Sequence, residues 1–598
     1  MSEHLLIGLA SIIVLGILAQ WLAWRLHLPA ILLLLVFGII AGPVTGLLNP
    51  DIVFGETLFP LVSVSVAIIL FEGGLSLKLS ELRKGAAVIR NLVTVGILVT
   101  WFLAALAAYA IVGLELSTSI LIGAILVVSG PTVIIPLLRQ VRPTGKIGSI
   151  VKWEGIVNDP IGAILAVLVF EVIITGGAEG GTSMIIGGVL KAFFAGTIAG
   201  LLGAGIIVVL LRRYLVPDFL QNPVALMLVT MCYVASDAVQ TESGLLAVTV
   251  MGIALTNQKY VSIRHILEFK ENLRVLLIAS LFIILAARLD AAQLALASPL
   301  NWLFVIVLIV LVRPAAVWVS TVGAGLKQGE RHFLAWMAPR GIVAAAVVSV
   351  FAIRLAEIGH PDADKLVPLI FQVIIVTVAV YGLSASKVAR RLKVSQADPQ
   401  GVLFAGAHLW AREMAGILKD NGFTVAVVDS NWYNVSEARK MGLTAYYGNI
   451  LSEELMYNIG LDGIGRLLAV TPNDEVNSLA ALHFVDIFGT SEVYQLPPAT
   501  EGKAAKQDEM PRHLRGRFLF EQGASYPYLL TRFRDGAVVK KNSMTEAFDF
   551  EAFKSKYGSG AMPIFIITES GKLSVCTAAD RFSPKEGQAI ISVVDPVD

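Results

Sequence analysis

Three stretches place polar side chains inside apolar sequence. Lys152–Phe170 reads KWEGIVNDPIGAILAVLVF, Val127–Leu138 reads VVSGPTVIIPLL, and Trp336–Val348 reads WMAPRGIVAAAVV. On a helix Glu154 and Asn158, four apart, share a face, and Asp159 lies about 100° round from Asn158. Arg340, together with Arg313 in LVRPAAV, sets two bases against two acids. Charge at bilayer depth is costly, so these groups need a partner or a task, and at least one Arg–acid pair is required. Spacing alone does not say which Arg takes which acid. A lone carboxylate in a dry cleft can do one kind of chemistry well: desolvation penalises its ionised form, so a proton and a monovalent cation compete for it.

The other two stretches explain how such a cleft could form. Ser129-Gly130-Pro131 and Pro339-Arg340-Gly341 are poor helix interiors, because proline removes a donor and clashes one turn back. A break frees carbonyls and exposes half-helix ends that can face an ion. Each broken segment is followed by a further apolar span. Two Gly/Pro interruptions at corresponding places in two halves point to a midplane transport site.

The rest of the chain fits this frame. It has 598 residues and 15% charged residues, against about 25% in an ordinary soluble protein. Its mean hydropathy is +0.75. Residues 1–400 carry net charge +6 and residues 401–598 net −5, so a membrane domain followed by soluble domains is expected. Apolar segments long enough to span recur near 4–24, 28–48, 57–77, 88–112, 117–138, 149–175, 183–211, 221–239, 241–257, 271–289, 297–320, 332–354 and 365–386. Ser236, Asp237, Gln240, Thr241 and Glu242 interrupt the eighth and ninth, with Asp237 and Glu242 expected in a solvated external turn. Lys78, Arg83, Lys84, Arg139, Arg142, Lys146, Arg212, Arg213, Lys259, Arg264 and Lys270 follow odd-numbered spans, whereas the loops after spans two, four, six and eight contain neither Lys nor Arg. The positive-inside rule then puts the N-terminus outside and the C-terminal part in the cytoplasm. The first apolar run lacks a cationic n-region and a cleavage site, so it reads as a retained helix. Cys232 and Cys576 form no framework, and the eight histidines show no zinc spacing, so no metal is expected beyond a transported monovalent cation.

These motifs resemble the NhaP-like branch of the cation–proton antiporter superfamily, which includes the sodium/proton exchangers. The likeness is carried by LFEGGLSL (Leu70–Leu77), VVSGPTVIIPLLR (Val127–Arg139), EGIVNDPIGA (Glu154–Ala163), SGLLAVTVMGIAL (Ser243–Leu255), LVRPAAV (Leu311–Val317) and PRGIVAA (Pro339–Ala345), in order over residues 1–390. The resemblance implies a polytopic all-α membrane protein of the bacterial inner membrane. It would have thirteen helices in two inverted repeats, the two unwound ones crossing, and would form a homodimer through membrane and cytoplasmic domains. It implies that Asp159 alternately holds proton and Na⁺ or K⁺, that Asn158 orients the site, that Glu154 pairs with Arg313, and that Arg340 sits near the crossing. Many relatives carry Asp before the first break's Pro, where this chain has Gly130, so the cation shell falls to Asp159, Thr132, Ser129 and backbone carbonyls. One titratable carboxylate predicts electroneutral 1:1 exchange. Ser129 and Thr132 could equally bond back to helix carbonyls. Arg340 could neutralise half-helix carbonyl ends or tune Asp159, and Glu72 reads as structural.

Beyond a linker at 391–400 the pattern becomes strand, turn, helix, strand. GVLFAGAHLWAREMAGILKDNGFTVAVVDSN (Gly401–Asn431) ends its second strand in Asp429, where a dinucleotide fold puts its ribose-binding acid. A strand at Thr444–Gly448, a helix from Ser452 and a strand–helix unit in RLLAVTPNDEVNSLAALHFV follow. Residues 401–496 resemble the TrkA-N lobe of domains regulating K⁺ conductance, through Gly406, Asp429, Gly448-Asn449, Thr471 and Asn473-Asp474. The resemblance implies a nucleotide, adenine-type or NAD-like, held by Gly406, Asp429, Asn449 and Thr471. However, GAHLWA puts His408 and Ala411 where the second and third fingerprint glycines belong, which counts against NAD as usually built. A fold kept for dimerisation or gating is the alternative, with His408 and Trp410 either plugging the pocket or touching a ligand. Residues 497–598 read as a small α+β lobe with a hairpin turning at Glu569-Ser570-Gly571 and a last strand in EGQAIISVVDP.

The tail alone would permit a ligand-gated cation channel, but the membrane half lacks a TVGYG-like filter and has paired broken helices, which is transporter architecture. An oxidoreductase would need a catalytic Cys or Tyr-Lys constellation that does not accompany the fingerprint. The reading is a secondary transporter, not an enzyme, with the lipid bilayer and no nucleic acid as partner.

Overall fold

In a computed structural model the chain forms two compact units, residues 1–397 and 398–598. The structure describes residues 2–26, 28–82, 85–141, 143, 146–174, 181–289, 298–395, 399–452, 455, 459, 461, 463–499, 515–558, 560–579 and 584–596. Arg83, Lys84 and Arg142, used above for orientation, lie outside these, as does most of the helix expected from Ser452.

The described N-terminal unit is helical. Among the described residues, eight helices are long and apolar enough to cross a membrane: Leu6–Leu26, Pro50–Leu75, Ala86–Val112, Ile147–Ile174, Ile186–Arg212, Asp218–Asp237, Pro299–Ser320 and Ala363–Arg391. Ala30–Val44, Leu116–Ile125 and Ser243–Asn257 are shorter apolar helices. Breaks account for part of the difference from thirteen full-length spans. Segment 117–138 is two helices, Leu116–Ile125 and Pro131–Val141, and segment 332–354 is Gln328–Trp336 followed by Ile342–Glu357. Proline starts the second half of the first and cannot continue its predecessor, so the cut falls at Gly130.

Asp237 and Glu242 are half-buried rather than solvated, and Asp237 Oδ1 accepts the Glu242 N–H at 2.6 Å to close the turn between their helices. Five-residue π-helical turns occur at Ile40–Val44, Leu92–Gly96, Ala108–Val112 and Leu308–Val312. The last immediately precedes Arg313 and so resets the helix face on which that side chain emerges. Ile147–Ile174, which carries Glu154 and Asp159, is the most deeply buried of these eight long helices.

The C-terminal unit is built on a six-stranded parallel sheet. Its strands are β1 (Gly401–Ala405), β2 (Val425–Asp429), β3 (Thr444–Tyr447), β4 (Ile464–Ala469), β5 (Val493–Gln495) and β6 (Arg517–Phe518). Their order is β3-β2-β1-β4-β5-β6, so the winding reverses between β1 and β4. The unbroken apolar runs of β1 (GVLFA) and β2 (VAVV) suit strands covered on both faces. Asn431 and Asn473 start the next helices by accepting N–H bonds from Tyr433 and Val476.

Strands β7 (Val538–Ser543), β8 (Met562–Ile567), β9 (Leu573–Val575) and β10 (Ala589–Val594) form a second, antiparallel sheet in the order β7-β10-β8-β9. The β8–β9 hairpin turns through Glu569-Ser570-Gly571, with Gly571 at φ +75°. One apolar core joins Phe404 and Trp410 of the parallel-sheet region with Phe533, Phe565 and Ile591.

Candidate functional site

The two broken segments of the N-terminal unit touch backbone to backbone. A Cβ on Gly130 would stand 2.4 Å from Gly341 Cα, and one on Gly341 would stand 2.4 Å from Gly130 Cα, so neither position accepts a side chain at this separation. The Gly130 N–H donates to the Pro339 carbonyl at 3.3 Å, and Arg340 Nη1 donates to the Val128 carbonyl at 3.1 Å. Arg340 thus supplies positive charge to carbonyls that a helix break leaves unpaired. Its own N–H reaches Thr377 Oγ1 at 3.4 Å.

Asp159 has no solvent-exposed surface. Neither of its carboxylate oxygens has a hydrogen-bond partner among the described residues, and the same holds for Asn158 Oδ1 and Thr132 Oγ1. Arg340 is the cation that acts on Asp159, and the Ser129 backbone approaches the carboxylate as a hydrogen-bond donor. Pro160 follows within the helix and brings no N–H, which deprives the carbonyl one turn earlier of its usual partner. Ser129 differs from Thr132: its hydroxyl donates to the Gly155 carbonyl at 3.4 Å. A cavity of about 20 Å³, room for about one water, is lined by Ser129, Glu154, Asn158, Arg313 and Arg340 among others. Of the residues expected to bind the cation, Ser129, Asn158 and Arg340 line this cavity, whereas Asp159 and Thr132 are buried beside these segments without lining it.

Glu154 and Arg313 form a bidentate ion pair, Arg313 Nη1 on Oε1 and Nη2 on Oε2 at 2.9 Å, and Arg313 Nε donates to the Leu334 carbonyl at 3.1 Å. With its acceptors occupied, Glu154 differs from Asp159 although the two lie five residues apart. Glu72 is held by Arg274 at 3.0 Å, both buried. Sequence reasoning noted Glu72 but not Arg274, because 202 positions separate them and no local spacing announces the pair. Thr377 was also missed.

In the C-terminal unit, Gly406 sits at φ +115° in the turn after β1. Asp429 accepts from the Ala407 N–H (2.8 Å), the Asn431 N–H (2.8 Å) and Asn434 Nδ2 (3.0 Å). Thr471 N–H and Oγ1 both donate to Asn477 Oδ1, at 2.9 and 2.8 Å. Asn449 Oδ1 accepts the Leu451 N–H at 3.0 Å. Of the four residues expected to hold a nucleotide, the three with side chains therefore satisfy the protein's own backbone and neighbours. His408 Nε2 lies 2.6 Å from the Val470 carbonyl, and Trp410 is fully buried.

A family profile described as sodium/hydrogen exchanger, transmembrane, matches residues 9–391, and the TrkA-N domain profile matches residues 402–495. The K(+)/H(+) antiporter NhaP of Alkalimonas amylolytica is 29% identical over 403 residues, 66% of this chain and 68% of its own length. The Na(+)/H(+) antiporter 1 of Methanocaldococcus jannaschii is 26% identical over 385 residues, 60% of this chain and 84% of its own. The solved structure of the sodium proton antiporter MjNhaP1 from the same organism at pH 8 superposes with a TM-score of 0.57 at 21% identity, covering 65% of this chain and 99% of that one, a likeness of fold.

Proposed function

The chain belongs to the sodium/hydrogen exchanger family, and on that premise we propose that it is a secondary transporter exchanging a monovalent cation, Na⁺ or K⁺, for H⁺. The observation that carries the reading is Asp159: fully buried, with both oxygens lacking a partner among the described residues, one position from Asn158 on the cavity wall. Such a carboxylate is held at a cost unless something binds it. In the proton-loaded state it is neutral and tolerates the dry site. In the cation-loaded state Asp159, Asn158 Oδ1, Thr132 Oγ1 and freed carbonyls replace the ion's water. Ser129 contributes its carbonyl side of the break, and Arg340 holds the carbonyl end of the first half-helix.

Competition for one carboxylate becomes exchange when the site opens alternately to the two sides of the membrane. With Glu154 held by Arg313 and Asn at 158, Asp159 is the one carboxylate left for exchange, so one cation is exchanged for one proton without net charge. We place this cycle in thirteen helices arranged as two inverted repeats. The N-terminus is outside, the C-terminal unit is in the cytoplasm of a bacterial cell, and the protein is an inner-membrane homodimer whose TrkA-N unit regulates flux. The named relatives include a K(+)/H(+) and a Na(+)/H(+) antiporter, so the ion is chosen by experiment. Proton flux in proteoliposomes with Na⁺, K⁺ or Li⁺ should be saturable and lost in Asp159→Asn, and should persist with altered rate on truncation before Gly401. Wild-type exchange by Asp159→Asn would overturn the assignment, and a component driven by membrane potential would overturn the stoichiometry.

A further inference from the structure

An open, doubly wound sheet binds its ligand in the crevice where strand order reverses, with pyrophosphate on the helix N-terminus that follows the first strand. Here that crevice lies between β1 and β4, and the turn entering the helix Leu409–Asp420 is Gly406-Ala407-His408. The groups that a dinucleotide would use are already engaged. The Ala407 N–H, which should face phosphate, donates to Asp429, and Asp429, which should face ribose, also receives Asn431 and Asn434. His408 stretches from the end of β1 to the end of β4. A carbonyl only accepts, so its 2.6 Å contact with Val470 puts the imidazole proton on Nε2. This bond spans the crevice.

An aromatic layer covers the imidazole. Tyr526, first residue of the helix Tyr526–Arg534, meets His408 edge-on at 4.9 Å between ring centres. Trp410 lies 4.2 Å from His408 and stacks at 6.5 Å on Phe533 of that same helix. Burial holds the imidazole down at about 4, so it is neutral at physiological pH, with Asp429, Arg412 and Tyr526 as the ionisable groups around it. Arg412 is occupied in turn, donating to the Ala407 carbonyl at 2.7 Å.

We propose that this crevice does not take a dinucleotide, and that its fingerprint loop instead serves as an internal seat: His408 bridges β1 to β4, and His408 with Trp410 anchors the helix Tyr526–Arg534 over the opening. The TrkA-N unit then acts as a sealed module whose two sheets move together.

The test uses the full-length protein in detergent and does not depend on which ion the N-terminal unit carries. Titration with NAD⁺ or NADH by calorimetry should give no saturable heat, and neither should slow amide exchange in Tyr526–Arg534. His408→Gly should speed amide exchange in that helix by about tenfold or more, since an aromatic contact and a bridging hydrogen bond are both lost. Saturable dinucleotide binding by the wild type, abolished in Asp429→Ala, would overturn the proposal. So would unchanged amide exchange in His408→Gly. The wild-type titration needs no variant to fold.

Discussion

Asp159, inside the helix Ile147–Ile174, and Asp429, at the end of β2, are both carboxylates expected to bind a ligand, yet their surroundings are opposite. Asp159 is fully buried, and neither of its oxygens has a hydrogen-bond partner among the described residues. Asp429 sits at the half-buried end of β2 and receives three donors from its own unit. Unsatisfied acceptors in a dry place store a binding free energy that a cation or proton can release, whereas satisfied ones offer nothing new to a ligand. The same residue type therefore leaves open acceptors in one unit, where we propose the exchange site, and is consumed by the fold in the other.

The sharpest way to break the contrast is to neutralise each acid. Asp159→Asn should reduce coupled proton–cation exchange by more than about a hundredfold, because it removes the carboxylate we propose to be exchanged. Asp429→Asn should leave the ion dependence of exchange unaltered and lower the stability of the C-terminal unit by about 1.5–3 kcal/mol, the worth of hydrogen bonds to a charged group. Fluorescent pH measurement in proteoliposomes and chemical unfolding separate the two. Ion-dependence altered by Asp429→Asn would erase the distinction.

Glu154 offers a comparison within one helix. Breaking its buried pair with Arg313→Leu should cost about 3–5 kcal/mol, because an uncompensated carboxylate is left behind. Glu154→Leu with Arg313→Leu should recover much of that loss in thermal unfolding of the detergent-solubilised protein. If the double variant is no better than the single, Glu154 does more than pair. A smaller effect is expected at the crossing: Gly130→Ala or Gly341→Ala pushes a methyl into the opposite backbone at a cost of about 1–3 kcal/mol. Exchange should fall in proportion as the half-helix ends separate.

Much of this was legible in the sequence because its causes are local. Proline and glycine cut helices wherever they fall, so SGP and PRG announced both breaks. The acidic helix, expected over 149–175, runs Ile147–Ile174 because apolar length sets span length. Arg274 and the bond from Arg340 to Val128 were not legible, since pairing across 202 and 212 positions leaves no periodic trace, and Thr377 meets Arg340 only through the fold, 37 positions on. The π-helical turn before Arg313 is equally silent, being fixed by packing against neighbours. His408 shows the boundary between the two: its identity spoiled the fingerprint, but only the distance to Val470 decides between a plug and a ligand contact.

His408 also gives the contrast its mildest test, through pH. Its imidazole binds a proton near pH 6.5 in an unfolded chain but at about 4 in the folded unit, because burial opposes the charge. Between those values the unfolded state holds the extra proton, so the stabilisation is complete above about pH 6.5 and is lost progressively as pH falls towards 4, with a slope of at most about 1.4 kcal/mol per pH unit. Glutamine at 408 can still donate an N–H to the Val470 carbonyl but does not titrate. Chemical unfolding of the C-terminal unit in the full-length protein, followed from pH 7 to 4.5, should therefore show the wild type weakening faster than His408→Gln. Glu413, whose carboxyl burial raises above its ordinary value, titrates in both proteins and cancels in the difference. Parallel curves would mean that the imidazole is free to charge, and the crevice it closes would be open after all.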